Sequence, residues 1–377
     1  MPILQAARRI GLLLTVMVGA VVAACAGPPG VWQWTGSLQQ PRSGETATSL
    51  ADGRVLVAGG LDSSGVFLAS AELYDPATGS FTTTGSMTTA ASARSAVRLQ
   101  DGRVLIVGGW VVMEPQGAAE LYDPATGTFS PVGSTSVVRG HPAMQLLADG
   151  RVLIAGGMDP DLKPLASAEL FDPRSMTFSP TGAMTTPLSA PDAAALDDGR
   201  VLILGGLSDL DLADVAQLYD PVTGTFTATT PLRSPRTSDA LVPISNNRVL
   251  IVGGIAQGMT LAEPEVYDGT ADAFEPVAGM KDLRVGSGAT IMPDGRVLVA
   301  GGRAAGSSAV QSPAATQLEC VASVEIYDPA TSTFSQAAPM RVAREGADVL
   351  SLPDGRILAI GGSSDTGPLG TAEIYSP

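Results

Sequence analysis

The sequence predicts an all-β protein, a seven-bladed β-propeller with four antiparallel strands per blade. A Gly-Gly pair recurs inside near-copies of DGRVLVAGG at 59/60, 108/109, 156/157, 205/206, 253/254, 301/302 and 361/362. The successive steps are 49, 48, 49, 48, 48 and 60 residues. A period of this size made of short strands marks a repeat array whose units bury their faces only against neighbours. Stacked units also let 377 residues avoid the size limit of a single core. The 44 glycines and 28 prolines suit a turn-rich chain.

The N-terminal segment stands apart. Arg8 and Arg9 precede an apolar run over 10–22, then Ala23-Ala24-Cys25. Residues 1–24 are expected to be a secretory signal peptide, the run being too short to span a bilayer. Residues 25–30 would form a tether and 31–377 the propeller. Val22-Ala23-Ala24-Cys25 resembles the bacterial lipobox. That resemblance implies lipidation of Cys25 and an extracytoplasmic, membrane-anchored bacterial lipoprotein, at the outer membrane, periplasm or cell surface. The alternative is ordinary secretion with Cys25 idle. A lipidated Cys25 would leave Cys320 unpaired, so no structural disulfide is expected.

Each unit carries four strand signals, here called a to d. In the first unit they are a small-residue stretch after Arg42, the run 54–58, the run 71–74 and the segment opening at Phe81. Asp52-Gly53 joins a to b, and Asp-Gly supplies the left-handed angles of a two-residue hairpin. Asn246-Asn247 replaces it once, and asparagine also tolerates those angles. Asp75-Pro76-Ala77-Thr78-Gly79 joins c to d with turn chemistry.

The spacings are rigid. The turn residue lies 8 before the second Gly, the c-strand Glu lies 9 before the d aromatic, and that aromatic lies 20 before the next turn. Trp32 lies 20 before Asp52, so it reads as a d strand with no a, b or c before it. Glu373-Ile374-Tyr375 reads as a c strand with no d after it. The first strand should therefore complete the last blade and close the ring, removing an exposed edge.

Gly-Gly after strand b, Tyr ending strand c and an aromatic opening strand d resemble kelch repeats, the propellers of galactose oxidase central domains. The resemblance covers about residues 31–377, with Phe rather than Trp at most d positions. All six tyrosines sit at the c site, with Phe171 in the seventh copy, which points to blade-to-blade packing.

Length variation falls in the b–c loops, including an 11–12-residue insertion within 303–322 in the sixth blade. Variation confined to one face marks a binding face. Phe67 and Trp110 lie in these loops, where they either meet a ligand or tuck over the blade edge. Arg42, Arg139, Arg236, Arg284 and Arg344 recur ten residues after the d aromatic, with Ala91 and Leu188 breaking the series. By resemblance to kelch adaptors, these five are candidates for an anion site on the channel wall. Their forks suit carboxylates. They could equally pair with Glu45, Asp192, Asp239, Glu345 and Asp348, or with the repeated c-strand glutamates. His141, the only histidine, takes a position filled by small residues in other blades. The run Asp209 to Asp214 lacks the glycine and glutamate of a calcium loop, so no metal and no cofactor are expected.

Net charge of −15 argues against a nucleic-acid partner. Copper-radical oxidase chemistry, known in relatives of this fold, needs two histidines and two tyrosines and is expected to be absent. The favoured reading is a monomeric, lipid-anchored binding module for a protein or glycan at the b–c and d–a loop face. The other is a metal-independent, epimerase-like carbohydrate-active enzyme using channel Arg and Asp/Glu residues.

Overall fold

The computed structural model describes residues 30–208, 211–255, 263–305 and 318–377. The signal segment, Cys25, Asp209 and the middle of the sixth-blade insertion lie outside the described residues, as do the side chains of Ser238 and Asp239.

No helix occurs among the described residues. Among the described residues, seven antiparallel sheets follow one another along the chain, each a path of four strands, the last with the short strand Ser363–Ser364 added beside it. The first contains Thr46–Ser49, Val55–Ala58, Ala71–Asp75 and Ser80–Thr83, in the order a, b, c, d. Strands b are apolar throughout, as in Val104–Val107 and Ile357–Ile360, because both of their faces are covered. The innermost strands neighbour one another in sequence, and Asp348–Ser351 of the seventh sheet neighbours Thr46–Ser49 of the first.

The apolar core is divided among the seams. One buried cluster joins Leu56 and Leu73 of the first sheet to Val104 and Tyr122 of the second. Another joins Val55 and Tyr74 of the first sheet to Leu358 and Ile374 of the seventh. In each sheet the c-strand ring lies against the d-strand ring, with centroids between 4.8 and 5.3 Å. Each such tilted pair contributes about 0.5–1.5 kcal/mol beyond its buried area.

The seventh sheet takes its outermost strand from the start of the chain. Val31–Arg42 pairs antiparallel with Gly367–Ser376, with Trp32 opposite Tyr375 and Val31 opposite Ser376. This strand enters at the c–d turn side and leaves at the loop side.

The Gly-Gly pair has a steric cause. Gly156 has φ +65°, and a Cβ there would stand 2.8 Å from the Leu188 carbonyl of the next sheet. The Gly157 N–H donates to that same carbonyl at 3.0 Å. The first glycine clears space for the neighbouring blade and the second is bonded to it.

Candidate functional site

The five recurrent arginines are fully buried, which corrects the expectation that they line the channel. All five precede strand a of their blade: Arg139, for example, comes before the strand Ala143–Leu146. Their side chains fold back between strands b and c. Arg139 Nη1 donates to the carbonyls of Gly156 and Ser167, and Nη2 meets Glu169 Oε1 at 2.8 Å. Arg42 meets Glu72 at 3.1 Å, Arg284 meets Glu325 at 2.9 Å and Arg344 meets Glu373 at 3.0 Å. Arg236 pairs with Glu265 in the same way.

Each glutamate also accepts backbone N–H groups from the segment that crosses between blades. Glu72 receives Gln39 and Gln40, and Glu373 receives Arg341 and Val342. The unit is a clamp that ties a crossover to the blade it enters. Burial lowers the guanidinium pKa of Arg42, Arg139, Arg284 and Arg344, which their glutamates counter. With the side chains fully buried and their Nη groups bonded inward, an anion has no open approach to these guanidiniums.

The two breaks in the series follow the same chemistry. Where Ala91 replaces arginine, Arg94 approaches Glu120 at 3.6 Å from three residues further on. Where Leu188 replaces it, the glutamate is itself replaced by Gln217. Gln217 Oε1 accepts Thr185 and Thr186 N–H, and its amide donates to the Thr186 carbonyl.

What faces the channel is acidic. Burial pushes Glu45 up to about 7 and Asp348 well above the usual carboxyl range, and the Glu45 charge raises Asp348 further. Glu45 Oε1 accepts the Gly362 N–H at 3.0 Å, across the seam between the seventh and first sheets. Its Oε2 is buried without a hydrogen-bond partner. Glu345 is paired with Arg303 at 2.9 Å, and Arg303 also meets Asp365 at 2.6 Å.

His141 and Asp192 line one channel cavity of about 200 Å³ between the second and fourth sheets. His141 has φ +54°, and Gly44, Ala93, Ala190, Gly286 and Gly346 are also left-handed at this position. Its ring is open to solvent yet ringed by protein, and this desolvation lowers its pKa.

The loop aromatics tuck in. Trp110 covers the space where a Cβ on Gly140 would stand, and Phe67 is half-buried beside Leu61. The exposed loop residues are aliphatic: Val66, Val112, Met113 and Leu162. A search for aromatics passes over them. The opposite face repeats notches between Asp-Arg turns, such as the one lined by Asp101, Arg151 and Asp172. Its acids are held by neighbouring arginines, with Asp149 and Arg151 2.6 Å apart.

Sheets of this form, count and seam chemistry define a β-propeller of the galactose oxidase type. The Kelch motif family model matches residues 45–88 and 287–341. The chain is a kelch-repeat β-propeller. A fungal alcohol oxidase of the AA5 family, solved with copper, is similar at a TM-score of 0.72 and 19% identity, over 93% of this chain and 77% of that one. In all, 1105 chains of solved structures match, so the fold alone selects no function. No curated protein sequence matches.

Copper of the oxidase kind does not fit these residues. The phenol groups of Tyr74, Tyr122 and Tyr219 are bonded to Thr35, Thr84 and Thr181 at the seams, and His141 has no second histidine. Among the described residues, no group of three or more His, Cys, Asp or Glu is placed to hold a metal.

Proposed function

We propose that the chain is a monomeric binding module that presents its b–c and d–a loops to a protein or glycan. One observation carries this reading: every recurrent arginine and its glutamate or glutamine are consumed in holding crossovers. The repeats thus build the scaffold, and the irregular loops are left to recognise a ligand. Lipidation of Cys25 would hold the module at a bacterial membrane, outside the cytoplasm. The strand Val31–Arg42 starts at the c–d turn side, so a tether ending there would hold the loops away from the bilayer.

The test is a glycan array and a defined-protein binding panel with loop and channel variants. Phe67→Ala is expected to weaken the captured ligand, and Asp192→Asn to leave it unchanged. The opposite pattern would reject the module.

The neighbouring carboxyls Glu45 and Asp348 favour a second reading, metal-independent acid–base chemistry on a sugar. A carboxyl near 7 can carry or accept a proton at neutral pH. Under this reading Glu45→Gln abolishes turnover in a sugar epimerisation screen. A screen in which neither the parent nor the variant shows turnover rejects it.

A further inference from the structure

Two of the four exposed apolar residues of the loop face, Val112 and Leu162, occupy costly backbone positions. Val66, Val112, Met113 and Leu162 are 56, 74, 66 and 40% exposed. They tip the b–c loops of the first three blades, which adjoin one another in the ring. Leu162 closes the same turn as Gly65: Asp62 and Asp159 each donate to the carbonyl four residues on and accept from the N–H three residues on. Gly65 has φ +76° and Leu162 has φ +61°. A side chain at Gly65 would meet nothing within 4 Å, so the position points into open space.

Val112 has φ +58° in the tight turn between the paired Val111 and Glu114. A β-branched residue there is a steric outlier. Glycine would serve both turns better, and the apolar side chains stay exposed, Val112 at 74% and Leu162 at 40%. Strain held at an exposed site points outward, to a contact made with something else.

The surroundings specify the chemistry of that contact. Asp62, Glu114, Asp159 and Asp161 lie in the same b–c loops and Asp211 in the next, and Lys163 is the one basic residue in the b–c loops of the first four blades. We propose that this arc docks a protein whose surface joins an apolar strip to lysine or arginine side chains. The proposal rests on the loop-face reading and narrows it to a basic, amphipathic partner. Anionic lipid headgroups would be repelled by the same acids.

The test titrates the full propeller with a synthetic Leu/Lys amphipathic helical peptide, and with a Leu/Glu helix as control. The Leu/Lys peptide is expected to bind, more weakly at high salt. The double variant Val112→Gly/Leu162→Gly should reduce that affinity by about tenfold or more. The same variant should melt at a higher temperature than the parent, since glycine relieves the left-handed strain. Undiminished binding by the variant, equal binding of the Leu/Glu helix, or a lowered melting temperature overturns the proposal. So does a concentration-dependent dimer, or adsorption to phosphatidylglycerol vesicles, that the variant abolishes. If a glycan or protein ligand is lost on Phe67→Ala but kept by the double variant, the tips fail while the loop-face reading stands. If loop variants affect no ligand, both fail.

Discussion

Gln217 stands at the glutamate position of the same blade in which Leu188 stands at the arginine position. The two replacements leave no unpaired buried charge. Elsewhere a buried guanidinium meets a buried carboxylate, as Arg139 meets Glu169 at 2.8 Å. The clamp thus exists in a charged and a neutral form.

That relationship predicts a non-additive pair of substitutions. Leu188→Arg alone inserts a buried cation opposite an amide, and Gln217→Glu alone buries an unpaired carboxylate. Each should lower stability by about 2–4 kcal/mol. The double variant rebuilds the charged clamp and should recover at least about 1 kcal/mol of the summed loss. Urea denaturation of the four proteins measures this, and strict additivity would reject the clamp.

Removing one partner at the last blade should be severe. Arg344→Ala leaves Glu373 buried without its cation and two carbonyls, of Gly361 and Thr371, without a donor. A loss of about 3–5 kcal/mol is expected. Glu373→Gln keeps an acceptor and should cost less. Both are read from chemical denaturation.

Stability should depend on pH through the seam between the seventh and first sheets. Glu45 is raised to about 7 and Asp348 is raised as well, with Arg42 and Arg344 pulling Glu45 partly back down. The folded chain therefore holds these protons more tightly than the unfolded chain. The resulting stability is complete below the ordinary carboxyl range, and its Glu45 share is lost as pH rises through about 7. His141, lowered by desolvation, acts oppositely: its share is present above the ordinary imidazole range and is lost as pH falls through its lowered value. Urea midpoints between about pH 5 and pH 8 should flatten in Glu45→Gln. An unchanged slope would remove Glu45 from the account.

Gly140→Ala should disturb one loop without breaking the ring. Its Cβ would enter the Trp110 indole, which must then swing outward. A red-shifted tryptophan emission with a modest loss of stability, about 1–3 kcal/mol, is expected.

Cys320 should be a slow thiol. It is buried, and burial together with a hydrogen bond that the thiol donates to the Asp365 carboxylate pushes its pKa up to about 11. Thiol titration of the folded chain should lag far behind titration in denaturant. Rapid labelling at neutral pH would contradict this environment.

The sheet plan was legible because the repeat leaves little slack. The spacing from Trp32 to Asp52 matches every other d-to-turn spacing, so the pairing of Trp32 with Tyr375 could be read before any coordinates. The arginines were misplaced because all five precede their a strands, and a crossover residue carries no periodic clue to its side-chain direction. The clue was elsewhere, in the joint change at Leu188 and Gln217. The loop tips escaped for a different reason. Leu162 and Val112 have unremarkable residue types, and only the backbone angle shows what they cost. The tilt of Trp110 over Gly140 likewise needed coordinates, although a glycine at 140 beside a large residue at 110 is its trace in the sequence.

The strand bearing Trp32 leaves the ribosome ahead of all the sheets that separate it in sequence from its mate, the strand bearing Tyr375. A nascent chain must therefore hold that early strand unpaired until the strand bearing Tyr375 has been made, a long wait for a hydrogen-bond-hungry segment. Premature termination would forfeit the final sheet and leave that early strand without its mate, so shortened products should be cleared or aggregate rather than persist as smaller rings.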